Sequence, residues 1–221
     1  MSSYKQDIYN YIKSGETNTT NLGLEVEHFV VNDDGLQITF DEISPLIEDI
    51  ANKIHADIIY MDGYPVGYYN DRYSVTLEPA CQFEISINPY SALSDIEAVY
   101  SEFLNLWEPV FAKRGYKIIT GGNLPLVELG ELSPGDIPLS PKKRYKFMDE
   151  YFKTSGRYGV YMMRASSSTQ VSIDYNSEED MIRKLRILQK LSPVLMIMME
   201  IFFMFIKTRQ GHYIRRILQK V

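Results

Sequence analysis

Gly23-Leu24-Glu25-Val26-Glu27-His28-Phe29 and Leu77-Glu78-Pro79-Ala80-Cys81-Gln82-Phe83-Glu84-Ile85 are the stretches on which the reading of this chain turns. In an extended strand, residues two apart share a face. Glu25 and Glu27 therefore point the same way, and so do Gln82 and Glu84, with mostly apolar residues between them. A third stretch, Met162-Met163-Arg164-Ala165-Ser166-Ser167-Ser168-Thr169-Gln170-Val171-Ser172-Ile173-Asp174, sets Gln170, Ser172 and Asp174 on one face. One side of such a sheet is built to pack and the other collects negative charge. Two carboxylates about 5 Å apart at an effective dielectric near 20 repel by roughly 3 kcal/mol. Like charges on neighbouring strands are destabilising for that reason. A fold that gathers several of them needs a cation, a raised pKa or water, and a divalent metal is the simplest answer for oxygen ligands. A lone Glu-x-Glu strand is more often a solvated face; three such strands in one chain favour a site.

At 221 residues, 45% hydrophobic and 24% charged, the chain has room for a sizeable core. It is read as one domain, 1–221, with an atypical C-terminal end over 201–221. The net charge of −6 argues against general nucleic-acid binding, which wants a basic stripe. The single cysteine, Cys81, excludes a disulfide framework and a cysteine zinc site. A reducing, cytoplasmic setting is expected, and the N-terminus lacks the apolar stretch of a signal peptide. Val194 to Ile206 is almost wholly apolar, but Glu200 interrupts it and it falls short of the roughly 20 residues of a spanning helix. It reads as a buried helix, with no membrane partner expected.

Helical periodicity is expected over Tyr4–Ser14, Ile43–His55, Ser91–Lys113 and the region from Pro141 to Thr154, and from a cap at Asn176 or Ser177 towards Met204. Strands are expected over Leu22–Val31, Leu36–Phe40, Asp57–Met61, Tyr73–Ile87, Tyr116–Thr120 and Ser166–Tyr175. Pro79 inside the long fourth strand implies a bulge or an edge there. The loops are too short for many parallel crossovers. The fold class is therefore α+β: an antiparallel β-sheet with helices packed on its apolar face, and the other face forming the floor of a polar cavity. By parity His28 lies on the packed side, and Cys81 reads as a small buried hydrophobe beside Phe83 and Ile85.

Taken together, the three stretches resemble the second class of glutamate–cysteine ligases. The Gly-x-Glu-x-Glu strand is matched by Gly23, Glu25 and Glu27. The Leu-Glu-Pro-small-small-Gln-x-Glu-hydrophobic-Ser motif is matched by Leu77 to Ser86. The Met-Met-Arg motif, with Thr-Gln-Val and a closing Asp, is matched by Met162, Met163, Arg164, Thr169, Gln170, Val171 and Asp174. An Arg-Tyr-Lys-x-Met lead-in matches at Arg144, Tyr145, Lys146 and Met148. The first motif alone is weak; the ordered set is specific.

This resemblance implies a glutamine-synthetase-like catalytic fold, present in part. It implies ATP, Mg²⁺ (or Mn²⁺), glutamate and cysteine as ligands, and γ-glutamylcysteine as product. It implies metal ligation by Glu25, Glu27, Glu84 and Gln170, with Glu78 a further ligand or a partner of the metal shell. Gln82 and Thr169 would orient substrate. Arg164 would clamp a carboxylate or the transferring phosphate, unless it forms a salt bridge to an acidic strand. Lys142-Lys143-Arg144 reads as a solvated helix start with a nucleotide-facing role left open. Ligases of this class are considerably longer, so the chain resembles the N-terminal half of one. An incomplete metal shell, an open sheet edge, weak activity and self-association through apolar surface after Pro193 are expected. The alternatives are a non-catalytic or oligomerising remnant, and a γ-glutamyl ligase for another amine.

Overall fold

A computed structural model describes residues 2–198, and of the remainder only two short strands, β8 (Phe205–Lys207) and β9 (Tyr213–Arg215), which pair with each other. The expected atypical end over 201–221, including the apolar run beyond Met198, otherwise lies outside the described residues.

The architecture is α+β, as expected. Seven strands form one sheet, and every pairing in it is antiparallel. The order runs β2 (Asp57–Met61), β3 (Tyr64–Tyr69), β4 (Tyr73–Leu77), β5 (Phe83–Tyr90), β1 (Leu22–Asn32), β6 (Tyr116–Ile119), and β7 (Thr169–Ile173) also pairs with β1. β1 is the hinge of the sheet. Its first half, Leu22 to Val26, pairs with β7, and its second half, Phe29 to Asn32, pairs with β6 along the same edge.

Two helices close the packed face. α2 (Phe40–Ile54) turns Ile43, Leu46, Ile47, Ile50 and Ala51 inward, and α3 (Leu93–Ala112) buries Ile96, Val99, Phe103, Trp107 and Phe111. Leu93 is exposed because it opens the helix. Phe83 of β5 meets the Trp107 ring of α3 edge-on, 4.7 Å away, a favoured aromatic geometry. The Trp107 indole N–H donates to the Tyr68 hydroxyl at 2.9 Å, so its one polar atom is satisfied in the core. His28 is packed here, as parity required. It lies against Tyr100 and Phe103, and its ring nitrogens pair with the Phe83 carbonyl at 2.9 Å and the Tyr100 hydroxyl at 2.7 Å.

Several expectations are corrected. The segment Tyr73–Ile87 is a hairpin, β4 and β5, and the turn between them is Glu78 to Gln82. Pro79 lacks a ladder donor, and Cys81 sits in the left-handed region (φ 59°), which ends a strand. Cys81 is buried as expected, but in the turn and off the strand alternation. Leu36 to Phe40 makes only an isolated bridge, Val31 to Gln37, before α2 begins. The Met162-Met163-Arg164 motif lies on a helix, α6 (Gly159–Ala165), and strand structure begins only at Thr169. Between β6 and α5 (Lys143–Thr154) lie α4 (Pro125–Glu128) and a 3-10 turn (Pro134–Asp136).

Helices also reach the polar face. Phe29 and Val31 continue the parity of Glu25 and Glu27, yet they are buried in a second, smaller core with Ala80, Leu124, Val127, Ile137 and Ala165. The polar floor is therefore bounded on one side by an apolar wall. α1 (Ser2–Lys13) and α7 (Glu178–Met198) complete the elements; α5 (Lys143–Thr154) precedes α6. Val194 to Met198, expected within a buried helix, form the end of α7 and are exposed, Met198 at 72%. Among the described residues no helix is long and apolar enough to cross a membrane.

Candidate functional site

Strand register builds the site. In one row across the sheet Gly67 pairs with Thr76, Thr76 with Glu84, and Glu84 with Glu27. In the next row Tyr69 pairs with Ser74, Ser74 with Ser86, Ser86 with Glu25, and Glu25 with Gln170. The two rows are two residues apart on each strand, so their side chains share a face. Glu25, Glu27, Glu84 and Gln170 thus come together on one floor.

Each carboxylate is held differently. Glu27 accepts from the Ser168 backbone N–H at 2.9 Å, from the Ser168 hydroxyl at 3.1 Å and from the Gln170 amide at 3.3 Å. Burial, and beyond it the charges of Glu78 and Glu84, push the Glu27 carboxyl up to about 7 against those hydrogen bonds. Glu84 accepts from the hydroxyls of Thr76 at 3.1 Å and Ser86 at 3.2 Å. Glu25 is raised by burial and then by the Glu84 charge. Glu78 is off the strands, in the hairpin turn, where burial and then Glu84 raise it while Lys142 and Arg144 oppose the shift. The charge of Glu84 bears on Glu25, Glu27 and Glu78, so the expected repulsion is present on the floor.

Gln82, Arg164 and Thr169 sit elsewhere in the hydrogen-bond network. The Gln82 side chain is buried; it accepts from the Ala80 N–H at 2.8 Å and donates to the carbonyls of Ser166 at 2.9 Å and Met163 at 3.2 Å. It ties the hairpin turn to the end of α6. Arg164 is buried in an ion pair with Asp149 of α5 and donates to the carbonyls of Gly135 at 2.9 Å and Ile137 at 2.6 Å. Four of its N–H groups are so used, and its partner is not on an acidic strand. Burial would raise the Asp149 carboxyl, but the hydrogen bonds from Lys153 and Arg164 outweigh it and hold it below the usual range. Thr169 pairs with Val26 and has the opposite parity to Gln170, which turns it away from the carboxylate floor. Asp174 accepts from the Thr19 hydroxyl and the Asn21 N–H, closing the end of β7 onto the start of β1.

Oxygen donors of this kind suit a hard divalent cation. Among the described residues, however, no group of three His, Cys, Asp or Glu side chains stands close enough to hold a metal ion. The donor chemistry fits Mg²⁺; the side chains are turned to protein hydrogen bonds. Sequence reasoning left open the role of the cations at the rim. Lys142 is buried with its ammonium on the Leu77 carbonyl at 2.5 Å, and Arg144 lies over the Tyr145 ring, 4.7 Å from its centre. The Arg-Tyr lead-in was the signal for them.

The sequence model of glutamate–cysteine ligase family 2 matches residues 21–197 of this chain. The chain belongs to that family. Its relatives include proteins named glutamate–cysteine ligase A, chloroplastic, from Oryza sativa subsp. japonica, 32% identical over 86% of this chain and 38% of that protein. The protein named glutamate–cysteine ligase, chloroplastic, from Medicago truncatula is 32% identical over 86% of this chain and 37% of its own length. The one of the same name from Arabidopsis thaliana is 30% identical over 86% and 36%. This member of the family spans a little over a third of the length of the curated relatives it matches. The matched region contains all the elements that build the carboxylate floor.

Proposed function

We propose that this chain carries part of the catalytic floor of an ATP-dependent carboxylate–amine ligase that joins L-glutamate to the amine of L-cysteine. In that reaction a γ-carboxylate oxygen of glutamate bonds to the terminal phosphorus of ATP, and ADP leaves. The cysteine nitrogen then bonds to the acyl carbon, and phosphate leaves. The observation that carries the reading is the pairing of Glu27 with Glu84, next to Glu25 and Gln170, within a matched family sequence. Glu25, Glu27, Glu84 and Gln170 would hold Mg²⁺, with Glu78 beside them, and the ion would neutralise charge on the phosphate oxygens. The chain's own residues set those carboxylates in register and hold Glu27 in a half-buried site, where charge interactions are stronger than in water.

Gln82 and Arg164 enter the proposal as residues that position the floor. Gln82 fixes the hairpin turn that carries Glu78, and Arg164 fixes the loop bearing Gly135 and Ile137. Thr169 keeps an orienting role only through its neighbour Gln170. Ligase turnover by this chain alone is proposed to be weak, because among the described residues no three carboxylates stand within reach of one ion. A reducing compartment such as the cytoplasm is proposed from cysteine usage alone, Cys81 being the single cysteine of the sequence.

Titration with Mn²⁺, read by paramagnetic resonance, tests the reading. Saturable binding that Glu27→Gln and Glu84→Gln each abolish is the expected result. Equal binding by both variants would overturn it. A second reading, a non-catalytic and self-associating relative, is favoured by the exposed apolar residues at the end of α7. Concentration-dependent dimerisation together with no metal binding would select it.

A further inference from the structure

We propose that Asp62, at the tip of the β2–β3 hairpin, is a positioning residue for Glu78: its carboxylate caps the start of α5, and α5 in turn holds the Glu78 end of the β4–β5 turn in place. The role of Glu78 beside the carboxylate floor rests on the ligase reading; the clamp itself does not.

The start of α5 lacks a cap of its own. Lys142 stands at the cap position without a side-chain cap hydrogen bond, and the first turn holds no acidic residue. Lys143, Arg144 and Lys146 crowd it instead. A helix N-terminus carries unpaired N–H groups and partial positive charge, so cations there are unfavourable and a carboxylate is favourable. Asp62 supplies that carboxylate from 81 residues away. It accepts from the Lys143 backbone N–H at 2.9 Å and pairs with the Lys143 ammonium at 3.4 Å. The hairpin delivers it for a local reason. Met61 pairs with Tyr64, so Asp62-Gly63 is a two-residue turn, and both residues have positive φ, 54° and 88°. That is the pattern of a type I′ turn, which Asp-Gly, Asn-Gly and Gly-Gly all suit.

α5 passes the restraint on. Three contacts run from it and the residues leading into it to the β4–β5 turn. The Ser140 N–H donates to the Pro79 carbonyl at 2.8 Å, the Lys142 ammonium to the Leu77 carbonyl, and the buried Tyr145 hydroxyl to the Glu78 carboxylate at 3.2 Å. The same hydroxyl accepts from Arg144 at 2.7 Å and from Lys142 at 3.3 Å. A phenol has one proton to give and two lone pairs, so its orientation is fixed. The far end of the turn has separate supports. Gln37 donates to the Cys81 carbonyl at 2.9 Å, and Gln82 bonds to the end of α6. Glu78 is thus the end of the turn that depends on α5.

Hydrogen exchange of the full chain, read residue by residue by NMR, tests this in Asp62→Gly and Asp62→Asn. Both residues suit the turn, so neither strains the hairpin; glycine removes the acceptor and asparagine keeps an oxygen for the Lys143 N–H. In Asp62→Gly, exchange on the order of fivefold faster is expected at the Lys143 and Tyr145 amides and at those of Glu78 and Cys81. Asp62→Asn is expected to stay near wild type, with β2 and β3 unchanged in both variants. Wild-type exchange at Glu78 and Cys81 in Asp62→Gly would overturn the inference. So would a loss spread through β2 and β3, the mark of a damaged hairpin, or a failure of Asp62→Asn to restore the amides. Titration with Mn²⁺ separates the clamp from the ligase reading. Affinity weakened about threefold or more in Asp62→Gly and recovered in Asp62→Asn supports the positioning role. Unchanged affinity alongside faster exchange at Glu78 would overturn that role. A wild-type chain that binds no Mn²⁺ would remove the ligase reading, and the exchange result would still decide the clamp.

Discussion

Glu27 on β1 stands directly opposite Glu84 on β5, two carboxylates paired across an antiparallel ladder with their nearest donors being hydroxyls, an amide and one backbone N–H. Such a pair opposes folding unless something neutralises it. Stability and ligand binding are therefore expected to move in opposite directions when either carboxylate is removed.

Glu27→Gln keeps the shape and removes one charge. In metal-free buffer near pH 8 it is expected to stabilise the chain by about 1 kcal/mol after allowance for solvent screening. That corresponds to a Tm higher by roughly 2–4 °C. The same variant is expected to lose Mn²⁺ binding. Paired melts with and without Mn²⁺ check both signs.

The pH dependence follows from the same group. Burial pushes the Glu27 carboxyl up to about 7 in the folded chain, from an ordinary value of 4.5. Between those values the folded form holds a proton that the unfolded form has lost. Stability therefore falls as pH rises, and this contribution is gone above the folded value. The urea midpoint is expected to drop between pH 5 and pH 8, and to drop less in Glu27→Gln. A metal binds the deprotonated form, so Mn²⁺ is expected to bind more tightly at pH 8 than at pH 6 and to displace up to about one proton.

Arg164 and Asp149 make a buried ion pair between α6 and α5. Asp149→Asn leaves the guanidinium buried without its counter-charge, a change that costs about 3–5 kcal/mol. Urea denaturation is expected to show a loss of that order or an unfolded chain. Arg164→Met is milder, because Lys153 remains on Asp149 at 2.6 Å. A fully stable Asp149→Asn chain would show that the pair does not hold the loop.

Gly67 pairs with Thr76 at the far end of the row that holds Glu84 and Glu27. A Cβ there would lie 2.1 Å from the Val75 carbonyl oxygen, which is backbone and cannot swing aside. Gly67→Ala is expected to push β3 away from β4 and cost about 1–3 kcal/mol. Amide exchange should show the loss concentrated in β3 and β4.

Much of this was legible in order. The alternation of Glu25 and Glu27 with Leu24, Val26 and His28 fixed the two faces of β1 only as far as His28, because a period of two assigns a face but not what covers it, and Phe29 and Val31 on the glutamate side are buried. The stripe of Ile96, Val99, Phe103 and Trp107 fixed the inner side of α3 at helical period. The hairpin at Glu78–Gln82 was not legible as such. Pro79 signalled an interruption, but a bulge and a turn share that signal, and only the pairing of Thr76 with Glu84 separates them. The role of Arg164 was also hidden, since a motif names a residue type and not its partner. Asp149 lies 15 residues away on another helix.

Sequence by itself determined the family, the α+β class and the parity that gathers carboxylates on one side of β1. These follow from local periodicity and from an ordered set of motifs. Tertiary structure alone decided which strand each carboxylate faces, which guanidinium is tied up and which is open, and where the polar floor gives way to the second core at Phe29 and Val31. The reason is that charge pairing and burial depend on distances between segments far apart in the chain, and neither periodicity nor composition contains those distances.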